Sequence, residues 1–160
     1  MLESLGFPST LFVATGLIGQ DRDHLQWGEL QQIARSGLVT CGSHAVTHVK
    51  LRGLPAEQVR REARDSKAAL EDSLQCRVSL FAYPYGAYDA FDAATVDALK
   101  AEGFRGAFTA IAGTNRPGTE AFRLRRTRIS WVDALPEFQR TMAGALDWYA
   151  GYQWLASRGR

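Results

Sequence analysis

Leu38-Val39-Thr40-Cys41-Gly42-Ser43-His44-Ala45-Val46-Thr47-His48 is the stretch on which the reading of this chain turns. Leu38 to Cys41 is β-prone and reads as a short strand, ended by Gly42, which lets the backbone bend sharply. Two histidines follow, four positions apart. Parallel α/β folds place their active sites at the C-terminal ends of strands. There, two imidazoles four residues apart can reach one ion from a single turn. Ser43 and Thr47 add hydroxyls for contacts to the ligands or to metal-bound water. On spacing alone, two solvated histidines, or one capping and one core histidine, explain the pattern more cheaply, because His-x-x-x-His is weak.

The flanking sequence alternates strands with helices. Thr10 to Ala14 is a continuous β-prone run, as expected of a strand covered on both faces. Trp27 to Arg35 reads as a helix with Gly37 as its stop. Pro55 to Leu74 is the long helix, with Pro55 in its first turn and Val59, Ala63, Ser66, Leu70 and Leu74 at helical spacing. Val78 to Ala82 is the third strand. Asp89 is the expected N-cap of the next helix, which Gly103 closes. Arg105 to Thr109 is the fourth strand, residues 113–118 a loop and Leu124 to Ile129 a fifth strand. Pro136 to about Leu155 is the last helix, with Phe138, Met142, Ala145, Tyr149 and Tyr152 on one face. Strand, helix, strand, helix implies an α/β fold of parallel strands under covering helices, with residues 1–160 as one domain.

Composition narrows the classes. A chain of 160 residues can bury roughly 70% of its unfolded surface, enough for a core without a structural metal. A net charge of +2 argues against nucleic acid or an anionic membrane as a partner. Arg123, Arg125, Arg126 and Arg128 fit a strand with alternating exposed arginines better than a polyanion site. Cys41 and Cys76 read as two buried free thiols, with a disulfide as the alternative. No apolar run reaches the ~18 residues of a transmembrane helix. The opening Met1-Leu2-Glu3 lacks the basic start of a signal peptide. Leu5-Gly6-Phe7-Pro8-Ser9 resembles a helix stop and turn leading into the first strand, so the sequence reads as beginning inside a fold.

A second motif, Phe81-Ala82-Tyr83-Pro84-Tyr85-Gly86, stands at another strand end. Pro84 and Gly86 fix an irregular backbone, and Tyr83 and Tyr85 offer rings on which a sugar could stack. An aromatic-rich turn packed on the core explains it equally well. Together, Ser43-His44 through His48 and Phe81 through Gly86 resemble the polysaccharide deacetylase family, the fourth carbohydrate esterase family. The framing agrees: Gly6 to Val13, Trp27 to Gly42, Glu62, Ser66 and Lys67 on the long helix, Gly103 to Thr109, and Leu124-Arg125-Arg126. The resemblance covers roughly residues 5 to 140.

It implies a distorted (β/α) barrel of the polysaccharide deacetylase type, incomplete here because the first strand is missing. It implies a metal-dependent hydrolase that removes acetyl groups from polysaccharide or oligosaccharide. His44 and His48 match the metal-binding histidines, and the ion is expected to be divalent, most readily zinc. The backbone at Tyr85 matches the oxyanion-stabilising position, and Arg126 matches an arginine that orients the catalytic base. Tyr83, Pro84, Tyr85 and Trp131 are the expected substrate-binding residues, and acetylated carbohydrate is the expected partner. The chain also departs from the pattern. The strand ending in paired aspartates, one a metal ligand and one the general base, has no counterpart. The late leucine–histidine motif is absent, and the only other histidine is His24. Ala82 replaces an arginine, and only Trp131 and Asp133 lie near the position of an aspartate–tryptophan motif. Two imidazoles without a carboxylate are expected to hold the ion weakly and to leave catalysis slow or lost. The alternative is a pseudoenzyme that binds carbohydrate or a partner protein. The open strand edge left by the missing strand points to a homo-oligomer.

Overall fold

Four parallel strands, β1 (Ser9–Val13), β2 (Val39–Ser43), β3 (Leu80–Ala82) and β4 (Gly106–Phe108), form one sheet in sequence order. The computed structural model describes residues 3–130, 133–145 and 147–157. Three helices connect the strands: α1 (Trp27–Arg35), α2 (Ala56–Leu74) and α3 (Ala93–Ala101). Two more, α4 (Leu135–Met142) and α5 (Tyr149–Ser157), follow the sheet. In-order parallel pairing with a helix in each crossover is the repeating unit of a (β/α) barrel.

The register separates the two faces of the sheet. Thr10 pairs with Thr40, Phe12 with Gly42, and Ala82 with Phe108. Val13, Cys41, Phe81 and Ala107 pack into the core with Leu30, Ala63, Leu70 and Leu99 of the helices. The alternate residues face the other way. β1 is accordingly not covered on both faces: Thr10 is exposed and Phe12 only half-buried. Phe12 and Phe108 stand on opposite edge strands, which would be roughly 14 Å apart in a flat sheet at about 4.8 Å per strand. Their ring centres are 5.3 Å apart. The sheet is therefore curled, with both rings leaning over its concave face. Gly42 makes this possible from inside β2, not as its terminator. A Cβ there would sit 2.6 Å from the Phe12 ring and 3.0 Å from the Leu80 carbonyl oxygen.

Several boundaries differ from the sequence reading for local reasons. Asp89 caps no helix, since its carboxylate takes the Lys50 ammonium at 2.6 Å. Asp92 is the N-cap of α3, with its side chain accepting the Thr95 N–H. Residues 124–129 form no regular strand. Leu124 makes one parallel bridge to Phe108. The Asn115 side chain then takes both the N–H and the carbonyl of Arg125 at 2.9 Å each, in place of a neighbouring strand. The expected long C-terminal helix is two helices. Gly144, at φ +85°, follows α4. The N–H groups of Gly144 and Ala145 bond back to the carbonyls of Thr141 and Arg140, closing the helix with a Schellman motif. Of the two cysteines, Cys41 is buried and Cys76 exposed, and both are free thiols. No helix among the described residues is long and apolar enough to cross a membrane.

Candidate functional site

Both motifs lie where the strands end. β2 closes at Ser43, and the His44 N–H donates to the Val13 carbonyl at 2.8 Å, carrying the ladder one residue further. The chain then turns tightly. Ala45 and His48 have φ of +65° and +58°, left-handed values that non-glycine residues adopt only at a cost. A buried carboxylate holds this turn in place. Glu62 of α2 accepts hydrogen bonds from the Val46 N–H at 2.8 Å, the Thr47 N–H at 2.9 Å and the Thr47 hydroxyl at 2.7 Å. Ser43 and Ser66 share a buried hydroxyl contact at 2.6 Å. Ser43 and Thr47 therefore brace the loop from α2, whereas the sequence reading gave their hydroxyls to the ligand side.

The imidazoles of His44 and His48 come together, with ring centres 4.8 Å apart and planes at 71°. Two imidazoles sharing one tetrahedral ion at about 2.0–2.1 Å per nitrogen have ring centres about 5 Å apart, so the pair fits such an ion. His44 Nδ1 lies 2.6 Å from the Ala82 carbonyl oxygen. That contact makes Nδ1 the protonated nitrogen and leaves Nε2 with its lone pair, the tautomer a metal ligand needs. Burial holds the His44 pKa below its ordinary 6.5. The Ala82 contact opposes this, and the charges of His48 and Arg126 add to it, so the ring is neutral at neutral pH. Among the described residues no group of three or more His, Cys, Asp or Glu side chains could hold an ion.

The Pro84–Gly86 turn forms the opposite wall. Tyr85 has φ +62° and is 59% exposed, with its ring 5.0 Å from that of His48. Among the described residues no backbone group takes up the Tyr85 N–H. Gly86, at φ +61°, cannot carry a side chain, because a Cβ would lie 2.5 Å from the Ala110 nitrogen. Among the described residues, three of the four non-glycine residues at positive φ, Ala45, His48 and Tyr85, surround this one site, and the fourth, Gln75, is a helix C-cap. Strained backbone of this kind clusters at functional sites, which makes this pair of turns the candidate. No short-range sequence signal reveals it.

The remaining predicted residues divide. Arg126 is half-buried. Its Nε donates to the Thr109 carbonyl at 2.8 Å, and its guanidinium lies 5.5 Å from the Phe12 ring centre at the concave face, where its charge acts on His44. Burial lowers its pKa. Tyr83 corrects an expectation. It is fully buried, stacked at 4.1 Å on Phe91, with its hydroxyl donating to the Phe122 carbonyl at 2.9 Å. Its ring is core packing and does not reach a ligand, and Pro84 is likewise buried. Trp131 lies outside the described residues. Beyond Arg126 opens a cleft of about 940 Å³ between residues 126–130 and α4–α5. Sequence reading missed it, because it exists only where the C-terminal helices dock.

Comparison with known proteins agrees with this geometry. The polysaccharide deacetylase family profile matches residues 1–114. YxkH of Bacillus subtilis (strain 168), described as a polysaccharide deacetylase, is 26% identical over 130 residues. That match covers 81% of this chain and 45% of the relative, so the chain spans about half of that protein's length. The Streptococcus pyogenes deacetylase PplD, solved in complex with acetate, superposes with a TM-score of 0.78 at 22% identity, covering 88% of this chain and 61% of PplD. BA3943 of Bacillus anthracis, a CE4 family pseudoenzyme, has a TM-score of 0.58 at 15% identity, covering 69% of this chain and 36% of its own. With in-order parallel strands, a histidine turn after β2 and a strained turn after β3, the chain belongs to the polysaccharide deacetylase family.

Proposed function

We propose that this chain carries the metal-binding half of a hydrolase that removes acetyl groups from polysaccharide or oligosaccharide. The observation that carries the reading is the His44–His48 pair at 4.8 Å, with Ala82 fixing the His44 tautomer. A divalent ion of the zinc class, when bound, supplies Lewis acidity toward an acyl carbonyl and toward water. The chain's own groups do the rest. The Tyr85 N–H faces the developing oxyanion, and such a donor is typically worth about 10²–10³-fold in rate. Arg126, half-buried and fixed by Thr109, would orient the carboxylate base once one joins the site. The Tyr85 ring borders the acetyl-bearing sugar. Acetate bound to PplD has the chemistry of the product expected here.

A third ligand and a general base must join the pair for full turnover, and each missing acid–base group costs about 10²–10⁴-fold. The second reading, a pseudoenzyme that binds carbohydrate or a partner protein, is favoured by one observation. Among the described residues no third His, Cys, Asp or Glu joins the pair in a group that could hold an ion, as suits the fold shared with a CE4 family pseudoenzyme. Titration with zinc or cobalt by calorimetry, alongside acetate release from acetylated chitooligosaccharides and acetylated xylan, tests both. Metal binding that His44→Ala abolishes, with acetate release far below ~1 s⁻¹, is expected. Ordinary turnover would reveal a base within the chain, and absence of metal binding would overturn the metal assignment.

A further inference from the structure

Another cavity, of about 460 Å³, opens where β2 begins and α2 ends, and no residue of the two turns lines it. Both cysteines of the chain do: Cys41 within β2, and Cys76 just past α2. Local bonds hold Cys76 at this place. Gln75, at φ +52°, turns the chain out of the helix while its N–H still bonds to the Glu71 carbonyl at 2.9 Å. The Glu71 carboxylate then accepts the Val78 N–H at 2.8 Å, so Cys76 stands between two anchored neighbours. The Gln31 amide donates to the Ser73 carbonyl at 3.1 Å and ties the same helix end to α1.

The two thiols differ in access. Cys41 is buried in the core, whereas Cys76 is exposed. Burial pushes the Cys41 thiol pKa up, and the nearness of Cys76 adds to the rise. A reagent entering from solvent therefore meets Cys76 first, and Cys41 lies behind it to react second. Arg35 and Arg77 line the same cavity and attract a reagent of negative charge. A bond between the two sulfurs would close a loop over residues 42–75, which contains His44, His48, Glu62 and all of α2. Closing a loop of that length stabilises a fold chiefly by restricting the unfolded chain.

We propose that Cys41 and Cys76 form a dithiol site that a small anionic disulfide oxidises, locking the end of α2 onto β2. The Cys76 thiolate attacks one sulfur of the reagent, forms a mixed disulfide and expels one thiolate. Cys41, its proton released to solvent, attacks the Cys76 sulfur and expels the second. Two electrons pass from the protein to the reagent, and two free thiols leave for each bond formed. The test incubates the reduced chain with oxidised glutathione, blocks remaining thiols with an alkylating agent, and maps tryptic peptides without reductant. The expected result is a linked pair, residues 36–50 joined to residues 68–77 within one chain. The melting temperature should rise by roughly 5–15 °C and fall back on reduction. Cys76→Ser, an exposed change that leaves the core intact, should lose both the linked pair and the rise. Cys41→Ala should instead stop at a glutathione adduct on Cys76. In the parent, a lasting adduct on Cys76, a bond between two chains, or no reaction at all would overturn the site. A linked pair with an unchanged melting temperature would overturn the lock.

Discussion

Glu62 sits on α2, far in sequence from the strand it serves, and is 93% shielded from solvent in the sense that only 7% of it is exposed. Its carboxylate accepts three hydrogen bonds from Val46 and Thr47. Those bonds stabilise a turn whose residues Ala45 and His48 would not otherwise keep left-handed backbones. Removing the carboxylate leaves two backbone donors unsatisfied at a partly buried site. Glu62→Ala should destabilise the fold by about 2–4 kcal/mol, since hydrogen bonds to charged groups are worth about 1.5–3 each and the losses overlap. Glu62→Gln, which keeps one acceptor oxygen, should lose less. Urea unfolding of both variants checks the order. The same variants should weaken zinc binding by about 10–100-fold, as loss of a ligand-orienting contact typically does. Unchanged unfolding in Glu62→Ala would mean the turn holds itself.

At the scale of elements, each helix is terminated by chemistry within a few residues, and α3 shows it best. Asp92 accepts from the Thr95 N–H and hydroxyl, both at 2.9 Å. The Thr95 N–H bond is the leading reason its pKa falls below 3.8, ahead of burial, which opposes it. A carboxyl whose folded pKa is depressed stabilises the fold above its unfolded value, and that contribution is lost as pH falls through the folded value. α3 packs Val96 and Leu99 into the core, so fraying at its start should register in global stability. Asp92→Ala should cost about 0.5–2 kcal/mol at neutral pH. The gap between the parent and Asp92→Ala should close as pH drops below 3.8. Thermal unfolding across pH 2–7, roughly the carboxylate range, measures it. A pH-independent gap would assign the cost to packing.

The whole molecule presents two unsatisfied surfaces. β1 is an edge of the sheet among the described residues, and an open parallel edge is a template for another strand. α4 and α5 expose Leu135, Met142 and Leu155, each about two-thirds accessible. Exposed apolar area of this kind marks association. We expect the isolated chain to self-associate at micromolar concentration, a two-fold dimer being the commonest arrangement. Sedimentation velocity over a concentration series reads this directly. A concentration-independent monomer whose β1 amides resist hydrogen exchange would show that the chain shields its own edge.

Strands, helices and the histidine turn were legible in the sequence because each is set by short-range chemistry. β-Prone runs gave β1 and β2, apolar spacing gave α1 and α2 almost to the residue, and the motifs at 43–48 and 81–86 located the two turns. Where local signals compete, sequence reading failed. Asp89 was the expected cap, but its carboxylate pairs with Lys50 and Asp92, three residues on, caps the helix. A β-prone run at 124–129 needs a free partner, and Asn115 had already taken the Arg125 backbone. The direction of Tyr83 and Tyr85, adjacent but for one proline, depended on which ring Phe91 would stack against. The tautomer of His44, the brace from Glu62 and the cleft walled by Gln153 and Tyr149 each join segments distant in the chain. Sequence alone therefore determined the family, the parallel α/β order and the identity of the paired histidines. Tertiary structure decided which of their nitrogens is available, which tyrosine is buried and which exposed, and what lies beyond the site, because those depend on contacts formed only when the sheet curls and the helices dock.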